Sequence, residues 1–306
     1  MYYGQKDPRH ENGETQSGFL GRFSDRFLGS PALGSLSCLD VPSAPGIRSR
    51  GIDRAIDLLE CLRLAREPLR IGELARRLKA PRSTVYELVN RFLAVGILEM
   101  LDPDGRVFFG RTIHFYGTAY LEAHDFSRRA QAEVQLLAET TGETAQFCTL
   151  HGNKYTVVHC HSGTRLFRIS GDIGAPVPIP WTASGRLLLD HMTEAEIARF
   201  VPAEDFRLPR GCIITPAQFH GEARRARADG FCISRGLVDD FSCCMAAPVR
   251  DNTGVTIGCV CLVVPGEPSG EALLLSQLMK SADRLSQHVL IAPRPAADVP
   301  VPAGHG

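Results

Sequence analysis

From about residue 47 onward, apolar and polar positions along the chain fall into periodic blocks. In "IRSRGIDRAIDLLECLRLA", Ile52, Ala55, Ile56, Leu59, Leu62 and Leu64 approximate a helical stripe with charged residues between them. Pro68 ends that helix. "LRIGELARRLKAPRSTVYELVNRFLAVGIL" then reads as two helices around the turn "KAP". The first, over about 71–79, has Ile71, Leu74, Ala75 and Leu78 on one face. The second starts near Pro81–Ser83, with Ser83 and Thr84 placed to satisfy free backbone N–H groups. Val85, Leu88, Val89, Phe92 and Leu93 form its apolar side, and Gly96 closes it. "ILEMLDPDGRVFFG" follows as strand, turn and strand. Helix, helix-turn-helix and β-hairpin in that order predict a winged helix-turn-helix over 47–111.

Beyond it, Thr112 to His124 reads as a helix able to bridge two domains. Residues 126–141 form a second amphipathic helix that Gly142 ends. The pattern then predicts strands near 144–150, 155–161 and 165–170, and helices near 182–191, 193–200 and 216–229. Strands near 231–235, 243–250 and 255–264 follow, the last two joined by "DNTG", and a closing helix completes the domain. Such mixing predicts an α+β domain over 126–292 with a mainly antiparallel sheet. Residues 1–46 and 293–306 lack sustained periodicity and are expected to be disordered tails, although "GFLGRFSDRFLG" has the makings of a short amphipathic turn.

Composition narrows the function. The 306 residues suit two domains, and 34 basic against 34 acidic side chains give no whole-chain sign of nucleic acid, so a basic signal must be local. No apolar run approaches the roughly 20 residues of a membrane-spanning helix. The first residues lack the basic start and apolar core of a signal peptide, so a cytoplasmic protein without membrane partners is expected, its ten cysteines mostly reduced. No C-x-x-C occurs, and an individual buried cysteine reads first as a small hydrophobe.

A local basic signal does occur. Arg70, Arg76, Arg77, Lys79, Arg82 and Arg91 outnumber Glu73 and Glu87 around the helix-turn-helix, the charge that phosphate binding requires. The outward positions of the second helix are Arg82, Ser83, Thr84, Tyr86, Glu87 and Asn90. Arg82 is suited to bidentate pairing with guanine and Asn90 to adenine, while Ser83 and Thr84 suit phosphate contact or capping. Arg106 on the hairpin is placed to follow the backbone or enter a minor groove, and Arg50, Arg70 and Arg91 complete the expected interface with double-stranded DNA. The competing reading is a structural helical hairpin with solvated arginines. Nothing here or downstream assembles a nucleophile, base and oxyanion site, so no enzyme and no cofactor are expected.

"RAIDLLECL", "LRIGELARRLKAPRSTVYELVNRFLAVGILE" and "DPDGRVFFG" together resemble the N-terminal domain of the IclR family of bacterial transcriptional regulators. "FSRRAQAEVQLLAETTGETAQFCTLHGNKYTVVH" looks like that family's next helix and first two strands. "GAPVPIPWTASGRLLL" matches its Gly-x-x-x-Pro and Ala-x-Gly-Lys-Ala-like signature at Gly174, Pro178 and Gly185, with Arg186 in place of Lys. "RADGFCISRGLVDDFSCCMAAPVRDNTGVTIGCVCLVVPGEP" resembles its closing hairpin. The resemblance covers about residues 50 to 290. It implies a winged helix, a linker helix over 112–125 and a GAF-like effector-binding domain, acting as a homodimer or homotetramer that responds to a small organic acid.

Carried over residue by residue, the family's pocket cysteine falls on Cys244, an acidic pocket residue of some members on Ser234, and two serines on Cys261 and Val263. "SRGLVDD" replaces the commoner acidic run and brings in Arg235. A hydroxyl in place of a carboxylate, with a guanidinium nearby, favours an anionic effector. Trp181 is expected either to stack on that ligand or to plug the core. Ser184, Gly185 and Arg186 start a helix whose N–H groups suit a carboxylate. Glu87, where the family often has Arg, points to an altered operator.

The remaining chemistry lies in "HGNKYTVVHCHSG" and "SCC". His159 and His161 share a strand face, with His151 and Cys148 near, which suits a metal sensor only if a third ligand joins them. No metal site is assigned, and a metal- or thiol-sensing regulator stands as the alternative. Adjacent Cys243 and Cys244 point to opposite faces of a strand, so a disulfide between them would need a strained peptide. Cys244 is expected in the effector site and Cys243 in packing.

Overall fold

A computed structural model of the chain describes residues 50–165 and 172–291. Both expected tails, and the predicted strand over 165–170 apart from Arg165, lie outside them. Compact units meet between Phe109 and Gly110, and each is described by itself.

In the first unit, α1 (Arg50–Ala65), α2 (Ile71–Arg77) and α3 (Arg82–Ala94) pack with β1 (Leu69–Arg70), β2 (Leu98–Met100) and β3 (Arg106–Phe109). The strands form an antiparallel sheet in the order β1-β3-β2, with Arg70 opposite Arg106. Leu58, Leu62, Leu69, Leu74, Val89 and Leu98 make a core from which water is excluded. Burying such a side chain stabilises by about 1.5–3 kcal/mol. The stripe on α1 sits differently from the sequence expectation. Leu58, Cys61 and Leu62 are buried, whereas Ile52 and Ile56 are 65% and 48% exposed. The two apolar faces of α1 share Leu62, and periodicity alone merges them. The entry to α3 also differs. Pro81 is the N-cap and no side chain caps the helix, so Ser83 and Thr84 occupy its second and third positions as ordinary first-turn residues. Strand β1 has only two residues and carries no periodic signal.

The second unit opens with α4 (Arg111–Ala123) and α5 (Asp125–Thr141), the latter ended by Gly142 at φ 73°. Among the described residues, six strands form one antiparallel sheet: β4 (Thr144–His151), β5 (Lys154–His161), β6 (Pro176–Val177), β7 (Cys232–Arg235), β8 (Ser242–Arg250) and β9 (Thr256–Pro265), in the order β6-β5-β4-β9-β8-β7. Helices α6 (Ala183–Leu188), α7 (Glu194–Phe200) and α8 (Pro216–Asp229) cover one face. Thr193 and Thr215 start α7 and α8 with capping boxes. The other face meets α5 and α9 (Glu271–Ile291).

Strand alternation sorts side chains between these layers. Met245, Ala247, Leu262 and Val264 pack toward α5 and α9. Ala246, Cys259 and Cys261 pack toward α6 and α8. This is the sheet between helices that a GAF-like domain requires. No described helix is long and apolar enough to cross a membrane.

Candidate nucleic-acid interface and effector site

Helix α3 turns Val85 and Val89 into the core, which leaves Arg82, Ser83, Tyr86, Glu87, Asn90 and Arg91 exposed and Thr84 half-buried. These positions repeat every three to four residues and so form one stripe. The helix-turn-helix corner is tight: Lys79 takes φ 48°, and the Ala80 N–H donates to the Ala75 carbonyl at 3.1 Å. The Arg82 guanidinium lies over Gly72 at the start of α2.

Acids hold several of the arginines. On the hairpin, Arg70 pairs with Asp104 at 3.1 Å and Arg106 with Asp102 at 3.6 Å. Arg77 is tied to Glu73 at 2.8 Å. Such exposed pairs are worth about 0–1 kcal/mol and exchange readily for phosphate. Arg50 opens α1, and its side chain lies outside the described set. The sequence-predicted DNA residues thus gather on α3 and on the β1-β3 edge, each group within this one unit.

In the second unit, the sheet face beneath α6 is arranged in rows by strand register. Thr144, Val263, Cys244 and Ser234 lie side by side across β4, β9, β8 and β7. One row further, Gln146, Cys261, Ala246 and Cys232 do the same. Ser184 on α6 reaches down to the second row, its Oγ 2.8 Å from Cys261 Sγ. Next to it, Cys148 Sγ lies 2.7 Å from the Tyr155 hydroxyl and 3.8 Å from Cys261 Sγ. Burial pushes the Cys244 thiol up to about 12, and the Cys148 and Cys259 thiols also upward. These groups are neutral thiols at neutral pH, weakly polar and unreactive.

Ser234, Cys244 and Cys261 therefore share one sheet face, and Ser184 reaches it from α6. Arg235 and Gly185 are placed differently, and Trp181 takes the core-plugging one of its two expected roles. Arg235 is one residue out of phase with Ser234, so it lies opposite Cys243 on the α9 side and pairs with Glu271 and Glu267. Trp181 is half-buried against the core, and its indole N–H donates to the Asp205 and Arg207 carbonyls at 3.0 Å each, which fixes it as a wedge against the loop that follows α7. Gly185 is a close-packing residue. A Cβ there would stand 2.1 Å from the Ile179 carbonyl oxygen, and its own N–H already donates to Thr182 Oγ1 at 2.9 Å. Thr182 thus takes the Gly185 N–H that was expected to meet a carboxylate.

Arg186 takes the position of the family's Lys and is buried. It donates to Glu222 at 2.9 Å, to the Pro180 and Thr182 carbonyls at 2.9 and 2.7 Å, and sits 5.3 Å from the Phe219 ring centre. Sequence reasoning missed Thr144 and Gln146, both buried polar residues in the same rows. The signal available was their even spacing with Cys148 along a strand whose odd positions, Ala145 and Phe147, are apolar.

The histidines separate. His159 Nε2 lies 3.0 Å from Ser127 Oγ on α5, and burial lowers its basicity, with the Ser127 contact acting in the opposite direction. His151 and His161 are exposed. Among the described residues no three His, Cys, Asp or Glu side chains come together as a metal-binding group. Cys243 packs against α9 residues and Cys244 against the α6 side, so "SCC" is divided between two layers.

An outward basic stripe on a helix-turn-helix with a β-hairpin wing defines a winged-helix DNA-binding protein. Residues 51–102 match the IclR helix-turn-helix domain, and residues 118–287 match the C-terminal domain of bacterial IclR transcriptional regulators. The chain belongs to the IclR family of DNA-binding transcriptional regulators. It is similar to the HTH-type transcriptional regulator BhcR of Paracoccus denitrificans, 27% identical over 222 residues that cover 71% of this chain and 77% of the relative. The transcriptional repressor IclR of Escherichia coli is 20% identical over 198 residues, covering 62% and 71%. An IclR regulator structure from Alicyclobacillus acidocaldarius shares the fold with a TM-score of 0.70 at 18% identity, covering 79% of this chain and all of that one. An IclR homologue from Microbacterium hydrocarbonoxydans, solved with 4-hydroxybenzoate, gives 0.68 at 20% identity, covering 78% and 98%.

Proposed function

We propose that this regulator binds an operator through α3 and the hairpin wing, and that a small carboxylate-bearing metabolite held against the rows beneath α6 modulates that binding. The observation that carries the effector reading is the composition of this face. Its hydroxyl and thiol tips bond mainly to one another, as Ser184 does to Cys261 and Cys148 to Tyr155, inside a layer that is otherwise apolar. A few convergent polar groups in an apolar setting are what small-molecule sites present. With Arg235 engaged on the far side of the sheet, the acid's oxygens meet neutral donors here in place of a guanidinium. Ser184, Ser234, Cys244 and Cys261 form this site, and Trp181, Gly185 and Arg186 shape its wall.

The protein acts as a homodimer or homotetramer. Helix α4 buries none of its own side chains and exposes Phe115, Tyr116 and Tyr120 by 59%, 60% and 51%, a surface that association would cover.

The DNA arm is tested with an operator fragment selected from random DNA by the purified protein. Arg82→Ala should weaken binding by about five- to a hundredfold, the worth of one bidentate base contact. Affinity of the unmodified protein should fall steeply with salt. Unchanged footprinting by Arg82→Ala would show that α3 is not the reading helix. The effector arm is tested by a thermal-shift screen of small carboxylates, 4-hydroxybenzoate among them, on the full-length protein.

A further inference from the structure

We infer that Thr144, with Gln146 beside it, is the hydrogen-bonding anchor of the effector and sets which acids this protein accepts; the inference rests on the effector reading above. Thr144 is 1% exposed, and its Oγ1 has no hydrogen-bond partner among the described residues. A buried hydroxyl without a partner costs stability, so folded proteins rarely keep one for packing alone. β-branching explains why a strand would carry Thr here, but Val supplies the same branching without the cost. The hydroxyl itself is the surplus that needs a reason.

Register says where that hydroxyl belongs. Thr144 is two residues before Gln146 and four before Cys148, so it shares their face of β4, and its direct neighbour is Val263 on β9. Val263 in turn neighbours Cys244, and Cys244 neighbours Ser234. Gln146 is 4% exposed and, among the described residues, receives only a long contact from the Cys148 thiol, at 3.9 Å. It lies opposite Cys261, the residue that Ser184 touches from α6. An unpaired hydroxyl and an underused carboxamide thus stand one row apart on β4, Gln146 in the row that Ser184 of α6 reaches. Glu143, adjacent in sequence, pairs with Arg165 at 2.8 Å and does not serve Thr144.

The chemistry that satisfies both is an acceptor oxygen: the Thr144 O–H and the Gln146 amide N–H donate to one carboxylate group. The apolar body of the ligand then lies over Val263 and toward Cys244. Strands are about 4.8 Å apart, so Ser234 stands roughly 14 Å along the row from Thr144, too far for a compact acid to touch both. Thr144 therefore anchors the small acids, and Ser234 meets only longer ones.

The experiment uses the full-length protein, with benzoate and 4-hydroxybenzoate as probes, read by thermal shift and by titration calorimetry. Thr144→Val keeps shape and removes the hydroxyl. It should melt at the same temperature as the unmodified protein or higher, while its Kd for the probe rises at least tenfold, about 1.4 kcal/mol. Thr144→Ser should restore binding. A probe that binds the unmodified protein and Thr144→Val equally overturns the Thr144 assignment and leaves the effector reading standing. A Thr144→Val protein that melts several degrees lower shows that the hydroxyl is a structural partner, which also overturns it. Absence of any shift with the unmodified protein overturns both readings together.

Discussion

Arg186 offers the sharpest test of how the wall of the proposed effector site is held. Its guanidinium is 4% exposed and supplies the donors for the Pro180 and Thr182 carbonyls on either side of Trp181. Removing it in Arg186→Ala strips each carbonyl of a charge-assisted donor, worth about 1.5–3 kcal/mol apiece where water cannot replace it. Thr182 is half-buried, so part of that loss is recovered by solvent. Glu222 is 38% exposed and recovers most of its own hydration, leaving about 0–1 kcal/mol for the pair. Contact with the Phe219 face adds about 0.5–2 kcal/mol. The expected destabilisation is about 3–5 kcal/mol, in line with removal of one partner from a buried charged network. Arg186→Lys keeps the charge but loses the planar fork, and should cost about half as much. Trp181 is the only tryptophan in the chain and lies in the second unit, so its fluorescence during urea unfolding follows that unit alone. A loss below about 1 kcal/mol for Arg186→Ala, from the midpoint shift and slope, would refute the claim that this side chain holds the segment.

His159 is depressed in the folded protein by burial, so the unfolded chain binds the proton more readily. Its contribution to stability is therefore complete above the ordinary histidine range and is lost as pH falls below the ordinary histidine value of about 6.5. His159→Gln should flatten the stability profile of the second unit in that window, and an unchanged slope would remove His159 as the cause. Asp125 is held down to about 2, first by the Arg129 contact and then by His288, so its contribution is lost only in strong acid, well apart from the His159 window. Among the described thiols, Cys212 is exposed whereas Cys243 is buried and Cys244 half-buried. Peptide mapping after brief iodoacetamide treatment at pH 8 should find Cys212 modified well before either, and equal rates would contradict the layer assignment of "SCC".

Element type was legible wherever apolar spacing ran for a turn or more. Helices α5 and α8 and strands β8 and β9 lie within a residue or two of their expected ends because Gly142, Pro216, Gly230 and the "DNTG" turn punctuate them. Legibility fails where the cause is not periodic. Strand β1 exists because Arg70 and Leu69 meet β3 across the fold, a contact between residues more than thirty positions apart. The face of α1 misleads because Ile52 and Ile56 are as apolar as Leu58 and Leu62, and only the packing of the other helices decides which pair is covered.

The site shows the same division at finer grain. Cys244, Ser234 and Cys261 fall on one face because alternation fixes the faces within each strand and the β7-β8-β9 register aligns them. Parity also places Arg235 on the other face, since it is adjacent to Ser234, and its ion pairs with Glu267 and Glu271 confirm the placement. Proximity in sequence to a pocket residue is therefore evidence against sharing its pocket when both lie on a strand. Applied along β4, the same rule brings in Thr144 and Gln146, which no charge or motif marks. The change is chemical as well as positional. A site built around Arg235 would bind its acid by charge and weaken as salt screens it. One built from hydroxyl and amide donors binds by geometry, so effector affinity should vary little between low and moderate salt while DNA affinity falls steeply over the same range.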